Sequence, residues 1–345
     1  MTLPRVGVRP QPRISTSCNF LRQHRLVRLS RTFANISGSD RLPLDGHHVL
    51  TTRPVPEAPD SLASSPQAFL EYLRSPTAAP LLLRAHTRPQ NLPAACSRAE
   101  TLLGTLRAAG DRLVEVEVGR YDKATTDSLG TGGRVDAPLS VYLEWLTGAQ
   151  GAGAVEGERM QLYLAQWRAR DEVPGLAEVV QVPSLLDPLL ENHVVDLYQS
   201  SFFIGPSSTI TPLHYDPYFN LYNVYASSDP SVHAKHFVLL PPDLSESLSR
   251  ADGSVLRNTS PVDLHLRADS SENAFDVLID PSTAPVNTRE ALSESGGAMS
   301  CVLREGDTLF VPRKWWHRVE NVRLQDTATP GWTAGVGWWF LPRNS

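Results

Sequence analysis

Apolar and polar positions follow two different rhythms along this 345-residue chain. In the first half, apolar residues recur mostly at helical spacing. "SPQAFLEYLRS" (Ser65–Ser75) opens with a serine cap and predicts a helix, followed by "APLLLRA", a short buried strand. "RAETLLGTLRAAG" (Arg98–Gly110) predicts an amphipathic helix stopped by its glycine. "RLVEVEVG" (Arg112–Gly119) alternates apolar and acidic residues, as a half-exposed strand does. "APLSVYLEWLTG" (Ala137–Gly148) predicts another helix, "GAQGAGAVEGE" a loop, and "MQLYLAQW" a strand that carries Tyr163. Mixed helix and turn follow to about Leu190.

From Val194 the rhythm shortens to that of strands: "VVDLYQSSFFIG", "TPLHYD", "NLYNVYA", "KHFVLLPP", "MSCVLREGDTLFVP", "WWHRVENV" and "TAGVGWWF". Short strands separated by Gly and Pro turns, without regular helices, predict a β-sandwich or barrel in the C-terminal half, braced outside by the earlier helices.

Two stretches break the pattern. Residues 40–64 are rich in Pro, Asp and Ser and read as a linker. Residues 243–297 hold ten acids against four arginines, with many serines. They read as a mobile surface insertion in which "VDLHLRA" and "FDVLID" form short strands. The expected organisation is a leader (1–39), a linker (40–64), a mixed α/β support region (65–192) and a β core (193–345) carrying the insertion.

Composition narrows the function classes. Net charge is −5, and no Lys/Arg block lies in the folded part, so nucleic-acid binding has no compositional support. No apolar run is long enough to span a membrane. Cys18, Cys96 and Cys301 form neither a CxxC pair nor a zinc spacing. Residues 1–39 contain seven arginines and no acid, and "FLRQHRLVRLSRTF" is amphipathic if helical. That is the composition of a mitochondrial transit peptide, with a disordered basic tail on a nuclear or cytoplasmic protein as the alternative.

The chemistry gathers in "TITPLHYDPYFN" (Thr209–Asn220). Residues i and i+2 of a strand share a face, so His214 and Asp216 project together. A histidine and a carboxylate are two ligands of the 2-His-1-carboxylate triad of non-haem Fe(II) oxygenases. His317, delivered by "EGDTLFVPRKWWHRV", is the leading candidate for the third ligand. The other histidines lie in the leader, the linker, the insertion, before the core strands, or beside Lys235.

With these motifs together, the chain resembles the JmjC (Jumonji C) Fe(II)/2-oxoglutarate-dependent oxygenases of the cupin superfamily, especially the small JmjC-only hydroxylases. "VEVEVGRYD", "YLAQW…VPGL", "FFIGPSSTITPLHYDPYFN", "KHFVLLPP" and "GDTLFVPRKWWH" carry the resemblance, from about Ala79 to Pro342. It implies a mainly β fold, the double-stranded β-helix (jelly-roll or cupin type), with an N-terminal helical support region. It implies iron held by His214, Asp216 and His317, with 2-oxoglutarate and O2 as co-substrates. Lys235 would meet the far carboxylate of 2-oxoglutarate, helped by Thr211, Tyr163 and Asn220. His233 and His236 are the alternatives to Lys235, because the loop before them is longer than in relatives. Phe203 stands where close relatives carry tryptophan. The resemblance implies a protein or peptide substrate, hydroxylated on a side chain. The alternatives are a lysine demethylase, or a cupin-like module that binds without turnover. A homo-oligomer is compatible with the sequence.

The leader yields a direct test. A reporter fused to residues 1–39 is expected to be imported by isolated mitochondria, and replacing the seven arginines by glutamine is expected to abolish import. Retention of the charge-free fusion in mitochondria rules out an Arg-driven transit peptide.

Overall fold

The alternation seen in the C-terminal half becomes ten of the sixteen strands in the computed structural model, which describes residues 48–84, 97–118, 133–148, 162–249, 258–268, 275–325 and 331–343. In chain order these are β1 (His48–Leu50), β2 (Arg53–Pro54), β3 (Leu81–Leu83), β4 (Leu113–Val118), β5 (Gly133–Pro138), β6 (Leu162–Trp167), β7 (Val195–Pro206) and β8 (Ile210–Tyr215). Then follow β9 (Phe219–Ser227), β10 (His233–Leu240), β11 (Leu264–Ala268), β12 (Phe275–Ile279), β13 (Met299–Leu303), β14 (Thr308–Val311), β15 (Trp316–Arg323) and β16 (Trp332–Pro342). The leader, Cys18, Cys96 and most of the glycine-rich loop lie outside the described residues.

Two sheets face each other. One has the order β2-β13-β10-β15-β8, and the other β3-β14-β9-β16-β7-β6-β4-β5. Between them lies a core of Tyr163, Phe203, Tyr222, Val224, Leu309 and Val311 from the long sheet and Phe237, Leu239, Met299 and Val319 from the short one. This is the double-stranded β-helix expected from the sequence. Its strands look apolar throughout because both faces are covered. Along β16, Ala334, Val336, Trp338 and Phe340 point outward into a second core with Phe69, Leu102, Tyr142 and Phe310. That outer core packs the support helices on the long sheet. Helix Pro66–Arg74 starts where Ser65 Oγ accepts from the Ala68 amide, and helix Arg98–Arg107 where Ser97 and Glu100 form a capping box. The second helix ends at Arg107, three residues short of the expected glycine.

The outer face of the short sheet changes the reading of the insertion. β11 and β12 pair with each other and β12 pairs with β1, giving a third sheet of order β1-β12-β11. Leu50, Val262, Leu264, Val277, Ile279 and Leu292 pack there against Val238, Leu240 and Trp316 of the barrel. The stretch 243–297 is therefore a folded cover over much of its length, with a helix at Val286–Glu294 that the sequence pattern did not reveal. Residues 48–54, expected as linker, supply β1 and β2, and β2 runs parallel to β13. Residues 48–54 look unstructured because strands of two or three residues show no period, and in 243–297 the two short strands expected stand in an acidic, serine-rich background that hides the fold around them. An alternation of four or five residues buries a face only once a partner strand arrives.

This cover is open to test. Ile279 is fully buried in it, so Ile279→Ala is expected to cost about 2–4 kcal/mol in equilibrium unfolding. A mobile surface insertion would leave the unfolding midpoint unchanged.

Candidate metal centre

β8 and β15 are antiparallel neighbours, and His214 lies directly opposite His317 across them. Their rings are 4.2 Å apart between centres. Asp216 follows two residues after His214 on the same face, with Oδ2 3.6 Å from His317 Nε2. One ligand atom from each of the three lies within 4.8 Å of the others, and no other such group occurs among the described residues.

Local hydrogen bonds set the tautomers. His214 Nδ1 is 2.8 Å from the Pro212 carbonyl oxygen, and His317 Nδ1 is 3.0 Å from that of Trp315. A carbonyl only accepts, so each Nδ1 carries the proton and each Nε2 keeps its lone pair for a metal. Burial, and then the neighbouring His214, push the His317 pKa well below the ordinary value, against a smaller upward pull from Asp216. The imidazole is therefore neutral at neutral pH, as a ligand must be. Two converging imidazole nitrogens and one carboxylate fit a divalent metal held by three protein ligands, the donor set of non-haem Fe(II) sites and also of catalytic zinc sites.

The carboxylate is also held in place. Trp339 Nε1 donates to Asp216 Oδ2 at 2.7 Å. The indole thereby orients a ligand as well as packing in the barrel. The signal was present in "GVGWW", where Gly335, Gly337 and Trp339 share the inward face of β16. The ligand-bearing turns are laced to each other by Lys314 N–H to Asp216 O at 2.9 Å and Arg313 Nε to Pro217 O at 2.8 Å.

Thr211 presents a geometrical problem. It is three residues from His214, so strict alternation would turn it outward. The register between β8 and β15 shifts here, pairing His317 with His214 but Val319 with Thr211. This bulge contains Pro212, which has no N–H for the ladder. Leu213 turns outward into the core under the insertion, while Thr211 hydrogen-bonds the side chain of Tyr163 inside the barrel.

Lys235 is fully buried and shares the inward face of β10 with Phe237 and Leu239. Its Nζ donates to Asn321 Oδ1 at 2.6 Å and lies 5.8 Å from the Tyr163 ring centre. Burial lowers its pKa to about 7, and no anion offsets this. His236, one of the two alternatives, points to the other face, where it meets Phe275. His233, the other, hydrogen-bonds Ser207 Oγ at 2.9 Å. Of the three, the lysine is the one facing the barrel interior as an unmatched cation. Asn321 went unnoticed in the sequence, although it lies four residues after His317 and so on the same strand face. Its Nδ2 donates to the Gly205 and Pro206 carbonyls at 3.0 Å, which aims Oδ1 at the lysine. Asn220 shares the inward face of β9 with Tyr222, but its Oδ1 is engaged by the Trp338 amide at 3.1 Å. Phe203 fills the wall between Tyr163, Tyr222 and Trp339. A buried cation with only a neutral partner fits the carboxylate of a dicarboxylic acid.

Comparison with known proteins places this geometry. The family described as "Cupin-like domain" matches residues 67–345. Jumonji C domain-containing protein 5 of Drosophila melanogaster is 26% identical over 219 residues, covering 63% of this chain and 46% of that protein. Lysine-specific demethylase 8 of Xenopus tropicalis is 28% identical over 229 residues, covering 66% and 43%. A bifunctional peptidase and (3S)-lysyl hydroxylase of Homo sapiens is 28% identical over 164 residues, covering 41% and 46%. The chain thus spans less than half the length of these curated relatives.

The unmatched lysine has a measurable consequence. Its pKa falls on folding, so between about pH 7 and its ordinary value of 10.5 the unfolded chain holds a proton that the folded protein does not. The cost of burying it charged is full below about pH 7 and fades as pH rises through that window. Lys235→Met is expected to stabilise the metal-free protein relative to the parent at low pH, and that advantage should shrink by a few kcal/mol by about pH 10. Urea unfolding across this range checks it; a pH-independent difference contradicts the assignment.

Proposed function

This chain belongs to the cupin-like domain family, in its JmjC branch, and on that footing we propose that it is an Fe(II)- and 2-oxoglutarate-dependent oxygenase that hydroxylates a protein side chain. The observation that carries this reading is the gathering of His214, Asp216 and His317 inside a barrel whose interior also holds the unmatched cation Lys235.

His214 and His317, through Nε2, and the Asp216 carboxylate would hold the metal. When bound, the metal and 2-oxoglutarate would supply the oxidation, one oxygen atom of O2 going to the keto acid as it decarboxylates to succinate and the other to the substrate carbon. The protein's part is positional. Lys235 anchors the far carboxylate, with the Thr211 and Tyr163 hydroxyls beside it and Asn220 on the same interior wall. Trp339 keeps the Asp216 carboxylate from turning. Phe203, Phe237 and Val319 keep water out of the barrel.

The relatives' names include demethylases and a lysyl hydroxylase, and the chemistry of the substrate carbon separates the two. Hydroxylation at a side-chain carbon is stable and adds one oxygen. At an N-methyl group the same oxidation gives a hemiaminal that releases formaldehyde. We further propose that residues 1–39 direct the chain to mitochondria, which favours a non-histone substrate.

The test uses the full chain loaded with Fe(II) and 2-oxoglutarate without oxygen, then exposed to air with a peptide library. Succinate is expected to form in proportion to peptides that gain one oxygen. Asp216→Ala is expected to weaken metal binding by more than about 100-fold, beyond the 10- to 100-fold typical of outer-shell changes, and to abolish succinate. Formaldehyde in place of a retained oxygen assigns demethylation. Full metal affinity in Asp216→Ala refutes the triad.

A further inference from the structure

Tyr222 sits in the middle of β9, with its ring inside the barrel against Phe237 at 5.1 Å and Phe203 at 5.8 Å between centres. Its hydroxyl is closed off from solvent and has no hydrogen-bond partner among the described residues. A phenylalanine would fill the same space without stranding a polar atom, so an orphaned buried hydroxyl calls for an explanation. Room for it exists only because β16 carries glycine at 335: a Cβ there would collide with the hydroxyl oxygen. The Lys235 Nζ lies 6.0 Å from the Tyr222 ring centre, close to its 5.8 Å from that of Tyr163. The ring edge of Tyr163 packs against Gly205, on the neighbouring strand β7. Burial, and then the nearby Tyr163, hold the Tyr222 pKa far above its ordinary value. The hydroxyl therefore keeps its proton and is a donor.

A cation without an anion and a donor without an acceptor thus share one end of the barrel interior. One carboxylate would satisfy both. We propose that Tyr222 is a further co-substrate-binding residue, whose hydroxyl donates to the far carboxylate of 2-oxoglutarate beside Lys235 and Tyr163. The proposal rests on the co-substrate assignment made under Proposed function. Its physical content is an exchange: the hydroxyl is a liability in the empty protein and contributes only when a dicarboxylate arrives.

Two ligands separate the contributions. 2-Oxoglutarate and 2-oxopentanoate offer a metal the same keto-acid end, but only the first has the far carboxylate. Binding of each is measured by calorimetry, without oxygen, to the full chain loaded with Mn(II). Tyr222→Phe is expected to lower 2-oxoglutarate affinity about tenfold, the effect of one hydrogen bond to a charged group. It should leave 2-oxopentanoate affinity unchanged, and the metal-free variant should melt no lower than the parent. Equal 2-oxoglutarate affinity in the variant overturns the proposal. So does an equal loss for both acids, or a lower melting temperature, because either marks a packing role. A parent protein that shows no preference for 2-oxoglutarate over 2-oxopentanoate fails earlier: it removes the co-substrate reading itself, as would Lys235→Ala binding both acids like the parent.

Discussion

The antiparallel pairing of β8 with β15 is the constraint on which the site depends. It sets His214 opposite His317 and fixes which residues of β15 face in. His317, Val319 and Asn321 point to the barrel, and Trp316, Arg318 and Glu320 point away. A one-residue slip would exchange the two sets, placing a tryptophan where the ligand must be and burying Arg318 in the apolar interior. The slip is opposed from outside as well as inside, because Trp316 is locked in the core under the insertion and donates to Ser245 Oγ at 3.0 Å. The insertion also borders β8, with the Asn258 carbonyl accepting from the Tyr215 amide at 2.9 Å. What reads as a loop in composition thus helps to hold the register of the ligands.

Electrostatically, the interior is arranged around charges that are absent from the chain. Both histidines present lone pairs toward one point, and nothing positive among the described side chains occupies it. Lys235 presents a proton with nothing negative to receive it. Each arrangement costs stability alone, and each would become favourable if a cation and a carboxylate entered together. Such a barrel would bind its ligands with energy withheld from its own folding.

Much of this was legible in the sequence, for particular reasons. His214, Asp216 and Lys235 sit in strands whose period of two declares their facing, and His317 follows a turn marked by Gly306 and Pro312. Thr211 was assigned to the interior by resemblance, while alternation alone would have turned it outward; the bulge at Pro212 reconciles the two. Asn321 and Trp339 were missed because their roles are contacts with other side chains, a lysine and an aspartate more than eighty residues away. Strand parity would have placed both inside, but nothing in one strand says what the opposite wall presents. β1 and β2 were missed because two or three residues carry no periodicity, and they are strands only through their partners. Tyr222 carries no signal of its own in the sequence, since the lack of a partner for its hydroxyl is a property of the folded interior.

The separation of the ligands along the chain has a consequence for biogenesis. His214 and Asp216 leave the ribosome about a hundred residues before His317, and Trp339 emerges later still. At ordinary synthesis rates of about 5–20 residues per second, the half-built site exists for roughly 5–20 seconds without its third ligand. During that interval it is a weak two-donor site on an unclosed sheet, with β16 not yet between β7 and β9. A site that needs all three ligands is therefore complete only once the last strands have been made and paired.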